Sequence, residues 1–382
     1  MSMHTGLRYS NGLKSPIGFK YAKGVTLIEL MVGLGLGLFI MLGVTHIYAN
    51  SSAAMGMQKQ IARVQEHGRL SAEHLSYELR NAGGGGCAMP QMKVANTVEY
   101  SDSGKPLTAD FAFGLTGYEQ GDDNHPSPDD TYAAKTDAFR ISGMDVNGSL
   151  TVTDHNVNAA TIHTNQNSGY PVGTLMAIVS DDCTQMAIFV QTHKTGVNVN
   201  HGTGTTNAPF KNCTKDIVGK ATYWQAGDGA YYDCSVGPST TFGGQAPASP
   251  FVGGSVAEFT SYSYYIRESA TLAGVPALYR ASAAGVEQEI VIGVEDMQLT
   301  YGWVPNAGVS AVQFSDASLI PTDSWPNVYS VKLELLVRAT ESSGTVPDYE
   351  LQYNGQTLKF TDGILRKSVS QVVHIRNRIK SR

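Results

Sequence analysis

Several motifs that enzymes need are missing from this chain of 382 residues. It has no Gly-x-x-x-x-Gly-Lys-Ser/Thr loop, so it lacks the phosphate cradle of the P-loop NTPases. Its ten histidines form no His-x-x-x-His pair of the kind that holds zinc on a helix. Serines such as Ser180 and Ser235 lack the glycines of a nucleophile elbow. We therefore expect a protein that is not an enzyme and that carries no cofactor or metal.

Charged residues are also scarce, at 16% of the sequence, and the formal net charge is −6. Residues 1–24 contain four Lys or Arg and no Asp or Glu. Removal of this segment would therefore change the net charge from −6 to −10. DNA-binding surfaces need patches of lysine and arginine against the phosphates. An acidic chain of this kind predicts no nucleic-acid partner.

One long apolar run is present, from Gly24 to about Ile47, and it contains a single carboxylate, Glu29. A charge inside a membrane-length segment costs about 2.5–3.5 kcal/mol even on lenient insertion scales, so it needs a functional explanation. The basic residues before the run keep that end of the chain in the cytoplasm. An ordinary signal peptide, cut at the small residues 51–54, remains an alternative interpretation.

The start of the apolar run carries a recognisable sequence, Lys23-Gly24-Val25-Thr26-Leu27-Ile28-Glu29. It resembles the type III signal of the type IV prepilins, which is cut before the apolar segment rather than after it. In that family a membrane-embedded aspartyl peptidase cleaves after the glycine and methylates the new amino terminus. The resemblance implies cleavage between Gly24 and Val25, N-methylation of Val25 and an assembly ion pair for Glu29. The family usually has phenylalanine where this chain has Val25.

Beyond Tyr48 the pattern changes to that of an amphipathic helix. Small and apolar residues recur at intervals of three and four, which predicts one buried helix face made of Met57, Ile61, Val64, Gly68, Ala72, Leu75, Leu79 and Ala82. The run ends at four consecutive glycines, residues 83–86. Glycines that follow a helix are typical of a C-cap and a flexible exit. With the apolar run, this predicts one helix of about 55 residues.

The rest of the chain has the pattern of strands and loops. We predict strands at residues 137–142, 173–179, 186–190, 258–266, 278–280, 289–292, 297–301 and 328–338. Residues 119–131 and 193–251 are rich in loop-forming residues. The expected fold is α+β: a long N-terminal helix packed on a mostly antiparallel β-sheet body. The expected division is a leader (1–24), a transmembrane half-helix (25–47), an amphipathic half-helix (48–82) and a β-rich body (83–382).

The four cysteines are Cys87, Cys183, Cys213 and Cys234, and their spacing matches no compact zinc pattern. An even number beyond an export segment favours two disulfides in an oxidising compartment. Three pairings are possible. We favour Cys87–Cys183, which would tie the helix exit to the sheet, and Cys213–Cys234, which would close a loop.

Two groups of side chains have weaker claims to a function. Asp122, Asp123, Asp129 and Asp130 crowd one loop with His125, but the alternation and glycine of an EF-hand are missing, so a solvated loop is favoured over a calcium site. His155, His163, His193 and His201 are scattered, and a surface position is the default for each.

Aromatic residues form a third group. They cluster at 223–224, at 231–232 and at Tyr262, Tyr264 and Tyr265. Exposed tyrosine and tryptophan favour interfaces, so these clusters are candidates for an adhesive face. In β regions, core packing is the commoner role, and we favour it here.

The second half of the chain also resembles the PilW-type minor pilins. The matching stretches, in order, lie at residues 264–266, 276–280, 289–302, 335–338 and 366–378. The resemblance implies a minor pilin that helps to prime type IV pilus assembly and sits at or near the pilus tip. The J-type pseudopilins of type II secretion share these features, so such a pseudopilin and a tip adhesin or binding subunit are the alternatives.

The same resemblance implies partners and a location. The partners would be the prepilin peptidase, other minor pilins, the major pilin and a large tip adhesin. The chain would lie in the inner membrane as a single-pass protein with a periplasmic C-terminal body. It would then join a pilus at the surface of a Gram-negative bacterium.

Overall fold

The computed structural model describes residues 24–84, 93–101, 114–204, 208–217, 251–305, 312–342 and 346–378. The chain divides into two compact units, Met1–Met55 and Gly56–Arg382. A single helix, α1 (Leu27–Asn81), contributes residues to both units.

In the first unit α1 is apolar and unburied. Every side chain from Leu27 to Ser52 is exposed, including large ones such as Phe39 and Ile47. The helix is long and apolar enough to cross a membrane, with a mean hydropathy of 2.3 over its most apolar window. A helix that is apolar all round is stable only in an apolar environment. The predicted membrane-length helix is therefore confirmed as a helix of the right composition.

In the second unit the described residues form the second part of α1, one short α-helix, four short 3-10 helices and twenty strands. The short helix is α2 (Asp130–Ala133). The strands are β1 (Lys93–Asn96), β2 (Val98–Tyr100), β3 (Leu115–Tyr118), β4 (Ala138–Met144), β5 (Leu150–Asn156), β6 (Thr161–Thr164), β7 (Leu175–Val179), β8 (Gln185–Val190), β9 (His193–Thr195), β10 (Asn198–Asn200), β11 (Phe210–Asn212), β12 (Ser255–Glu268), β13 (Pro276–Ser282), β14 (Glu287–Ile292), β15 (Val294–Trp303), β16 (Gln313–Ser315), β17 (Val328–Arg338), β18 (Tyr349–Tyr353), β19 (Gln356–Phe360) and β20 (Arg366–His374).

The largest sheet is organised around β12, which has 14 residues. The first part of β12 pairs with β7 and β5, and its second part pairs with β4 and β13. From β12 the sheet continues through β7 and β8 to β1, and through β5, β6 and β10 to β9. The β1–β8 pair is parallel, while the other pairs in the described part are antiparallel. The α+β fold with a mostly antiparallel body is confirmed.

A second sheet of four strands, in the order β16-β15-β17-β20, carries the C-terminal part of α1. Strand β17 alternates Val331, Leu333 and Leu335, all buried, with half-buried Lys332 and Glu334. This alternation puts one face of the strand in the core. The predicted limits of this strand, 328–338, are those observed.

The amphipathic part of α1 packs on that second sheet. Its buried side chains begin at Gln60, and Leu75 and Leu79 are fully buried. A Cβ placed on Gly68 would lie 3.0 Å from a methyl group of Val369, so the helix backbone approaches the sheet closely there. The predicted helix face is confirmed from Val64 to Ala82, whereas Met57 and Ile61 are only partly buried. This contact joins α1 to β20, the last strand of the described part.

The segment 193–251 and the aromatic clusters differ in part from the prediction. The segment 193–251 is not loop throughout, because β9, β10 and β11 lie within its described part. Its residues 218–250, including the aromatic clusters at 223–224 and 231–232, lie outside the described residues. Tyr264 and Tyr265 are buried core residues, which confirms the packing role that we favoured for them.

Candidate functional site

The start of α1 is the first candidate site. The hydroxyl of Thr26 accepts a hydrogen bond from the Glu29 backbone N–H, at 3.3 Å. Threonine before a helix and glutamate three residues later form the capping-box pattern, which satisfies backbone N–H groups at a helix start. Sequence analysis missed this local role, although the Thr-x-x-Glu spacing is its signature. Glu29 is therefore placed by a capped first turn.

The carboxylate of Glu29 itself is exposed, and it makes no ion pair within the described residues. In water an exposed carboxylate needs no partner, but in hydrocarbon it does. Gly24 and Val25 precede the helix directly, and Val25 is 69% exposed. The peptide bond between them is thus accessible in the described chain. Cleavage there and methylation of Val25 stay predictions.

The end of α1 is the second feature that positions the body. Gly83 has a φ of +68°, the left-handed conformation that favours glycine at a C-cap. Its N–H donates to the Ser142 carbonyl at 3.0 Å, and the Gly84 carbonyl accepts from Met144 N–H at 2.8 Å. A Cβ on Gly143 would lie 2.6 Å from the Gly84 carbonyl oxygen. The predicted C-cap is confirmed for residues 83 and 84, while residues 85 and 86 lie outside the described part.

Asn377, at the C-terminal end of the described chain, holds this helix exit. Its side-chain amide donates to the carbonyls of Asn81 and Ala82, at 3.2 and 3.3 Å. The last carbonyls of a helix have no partner within the helix. The Gly84 N–H also donates to the Asn81 carbonyl, at 3.0 Å, so Asn377 adds a second bond at Asn81 and a bond at Ala82 from a distant part of the chain.

We expect Asn377→Ala to lower the free energy of unfolding by about 1 kcal/mol, because it removes these two hydrogen bonds. Urea denaturation of the detergent-solubilised chain measures this change. The neighbouring exposed residue provides a matched control: Arg376→Ala should change the same quantity by less than about 0.5 kcal/mol. Equal losses in the two variants would show that the amide does not cap the helix.

A buried ion cluster fixes the start of β20. The guanidinium of Arg366, 7% exposed, donates to both oxygens of Glu295 and to the carboxylate of Asp362 at 2.8 and 2.9 Å. These bonds hold the pKa of Asp362 well below its usual range, at about 2. The arginine also lies over the Phe360 ring, 4.2 Å from its centroid. The cluster is structural and connects β15 with the β19–β20 connection.

The cysteines can be placed only in part. Cys183 and Cys213 lie among the described residues, where no cysteine is free. Cys183 has a φ of +57°, in the left-handed region, within the turn between β7 and β8. Cys87 and Cys234 lie outside the described residues. The pairings Cys87–Cys183 and Cys213–Cys234 stay predictions.

The acidic loop uses its polar groups locally. Asp129 caps α2 by accepting the Thr131 N–H at 3.1 Å, and Asp122 accepts the Asn124 N–H at 2.8 Å. The ring of His125 contacts the Thr136 carbonyl at 3.0 Å. Within the described ranges, no group of three or more Asp, Glu, His or Cys side chains is arranged to hold a metal ion.

The expectation of surface positions is wrong for two of the four histidines. His155 is 6% exposed and His201 is fully buried, whereas His193 is exposed. The rings of His155 and His201 meet through their Nε2 atoms at 3.0 Å. They are 46 residues apart in sequence, so no local pattern signals the contact.

Comparison with known proteins adds to this geometry. The family model described as Type IV Pilus-assembly protein W matches residues 263–377. Among solved structures, the chain is similar to the type IV-like pilin TTHA1219 from Thermus thermophilus, with 19% sequence identity and a TM-score of 0.21. This similarity covers 34% of this chain and 70% of that protein. No curated protein sequence matches the chain.

The matched segment includes much of the surface that receives the helix. It contains β15, β17 and β20, and it ends at Asn377, which caps α1. Residues 263–377 thus match the model of this pilus-assembly family, and the resemblance predicted from the sequence is confirmed.

Proposed function

We propose that the chain is a minor pilin that takes part in priming type IV pilus assembly and sits at or near the pilus tip. The observation that carries the proposal is one helix with two parts. Its first part is apolar and carries a capped glutamate, and its second part packs on the sheet of a PilW-family segment. A structural subunit needs an anchor and a body of this kind, and the proposed role is not catalytic.

Processing would occur at the start of α1. A prepilin peptidase would cut between Gly24 and Val25, and Val25 would become the N-methylated first residue. The accessible bond and the basic segment before it support this step. Cleavage would remove the positive charges that keep the leader in the cytoplasm.

Glu29 would act after processing. In the membrane its carboxylate would pair with the methylated amino terminus of a neighbouring subunit, since leaving either charge alone in lipid is costly. The exposed position of Glu29 on the apolar part of α1 leaves its carboxylate accessible to such a partner. The capping bond from Thr26 would keep the first turn ordered for this pairing.

The proposed partners are the prepilin peptidase, other minor pilins, the major pilin and a large tip adhesin. Before assembly, the chain would lie in the inner membrane with its body in the periplasm. This oxidising compartment would allow the disulfides Cys87–Cys183 and Cys213–Cys234 to form.

Mass spectrometry of the mature protein tests the proposal directly. We expect an N-terminal peptide that begins at Val25 and carries one added methyl group. Gly24→Ala changes the residue before the cleaved bond and should reduce processing. The matched control is Gly33→Ala, within the apolar run, which should leave processing intact. A mature terminus near Ala54 would contradict the proposal and favour an ordinary signal peptide.

A further inference from the structure

The buried pair His155 and His201 lies where the edge of the large sheet joins its core. His155 is on β5, and His201 follows β10 directly. Their Nε2 atoms are 3.0 Å apart, and their rings meet edge to face. One ring must donate and the other accept, because only one proton fits between two nitrogens at this distance.

Apolar side chains surround the pair. The ring of Phe189 packs against His201, and that of Phe251 packs against His155, with centroids 5.5 and 6.1 Å apart. Ile217 belongs to the same buried cluster. Ile217 and Phe251 thus share one apolar cluster, and this cluster packs against the histidine pair through Phe251 and Phe189.

The pair also fastens the end of β10. The His201 N–H donates to the Ala160 carbonyl in the β5–β6 turn, at 2.9 Å. Beyond β10, the pairing of the described sheet continues only to the three-residue strand β9. Strand β10 also pairs with β6 over three residues, and Val199 lies in the apolar cluster. The histidine pair therefore adds a direct link from the end of β10 to β5, with which β10 is not paired in the described sheet.

We propose that the His155–His201 pair is an acid-sensitive latch, which holds the β9–β10 edge on the body near neutral pH and releases it when both rings are protonated. A doubly protonated pair has no acceptor nitrogen left between the rings, and it places two positive charges 3.0 Å apart in an apolar core. The geometry alone disfavours the closed form under acid conditions.

Burial and the surrounding charges set the pH range over which the latch opens. Burial lowers the pKa of His155 to about 4, a shift that Asp154 opposes and His163 on β6 reinforces. Burial, followed by the charge of His155, lowers the pKa of His201 to about 3; interaction with the Lys215 backbone opposes this shift, and the Lys215 charge adds slightly to it. Since these pKa values lie below the ordinary 6.5, the opened form binds protons first as the pH falls. The latch is therefore fully effective above about pH 6.5 and weakens progressively toward pH 4 and 3.

Hydrogen exchange on the full chain in detergent tests the latch. Between pH 7 and pH 4.5, we expect the protection factors of residues 193–204 to fall about 1000-fold after correction for intrinsic exchange. In His155→Gln the fall should be at least about tenfold smaller, because glutamine stays neutral and can donate to His201. His193→Gln, on exposed β9, is the matched control and should behave as the unchanged protein does.

Three outcomes would overturn the proposal. The first is unchanged protection between the two pH values, and the second is an equal fall in His155→Gln. The third uses the unchanged protein, so it does not depend on the folding of a variant: NMR of labelled histidines would show both buried rings titrating at about 6.5. The expected NMR result is that both rings are neutral at pH 5.5.

Discussion

Glu29→Gln is expected to reduce incorporation of the chain into minor-pilin complexes and surface pili about 100-fold. The substitution removes the charge but keeps a side chain that fits the capping box. Without the carboxylate, the amino terminus of the neighbouring subunit would be unpaired in lipid, at a cost of about 2.5–3.5 kcal/mol. Co-purification with the other minor pilins and counts of surface pili measure this loss.

Thr26→Ala separates this role from helix capping. It removes the hydroxyl that accepts the Glu29 N–H, and the loss of an N-cap costs about 1 kcal/mol. We therefore expect incorporation to fall less than tenfold in this variant. If Thr26→Ala is as defective as Glu29→Gln, the glutamate acts by capping the helix. If Glu29→Gln assembles normally, the ion pair is wrong, and N-terminal processing at Val25 still stands as a separate result.

Leu75→Ala is expected to destabilise the body by about 2–5 kcal/mol. Leu75 on α1 is fully buried in an apolar cluster to which both sheets contribute, and truncation of a buried leucine leaves a cavity. Trp303 and Trp325 belong to the same apolar cluster, so their fluorescence reports on its unfolding. Urea denaturation of the full chain in detergent gives the free energy of unfolding.

The same helix provides a matched control, Leu70→Ala. Leu70 is five residues away and 45% exposed, so its truncation should change the free energy of unfolding by less than about 0.5 kcal/mol. Similar losses in the two variants would mean that the helix is not held by its buried face. A larger loss at Leu75 would support docking of α1 through its buried face.

The features that were predicted correctly follow from local periodicity. In β17, apolar residues at alternate positions fixed both the strand and its buried face. In α1, spacings of three and four placed Leu75 and Leu79 in the core. Gly83 was recognisable as a C-cap because glycine adopts positive φ without strain. Glu29 was equally easy to identify, because a charged residue within an apolar run of membrane length can be recognised from composition alone.

The features that were missed depend on contacts between distant residues. Strands β9, β10 and β11 have three residues each, too short for an alternation to be read. Asn377 is an ordinary polar residue in sequence, and only the fold brings it to Asn81. The burial of His155 and His201 likewise depends on β5 and β10 being in place, so a surface position was wrongly predicted for both residues. Tertiary packing decided each of these cases.

The bond between Asn377 and Asn81 has a consequence for folding of the chain during synthesis. The two residues are 296 positions apart. The buried face of α1 is made first, yet the strand that carries Val369 is made last. At about 5–20 residues per second, the helix waits roughly 15–60 s for its sheet. Long-range closure of this kind slows folding, and until the last strand is made the apolar face of α1 lacks part of its native cover.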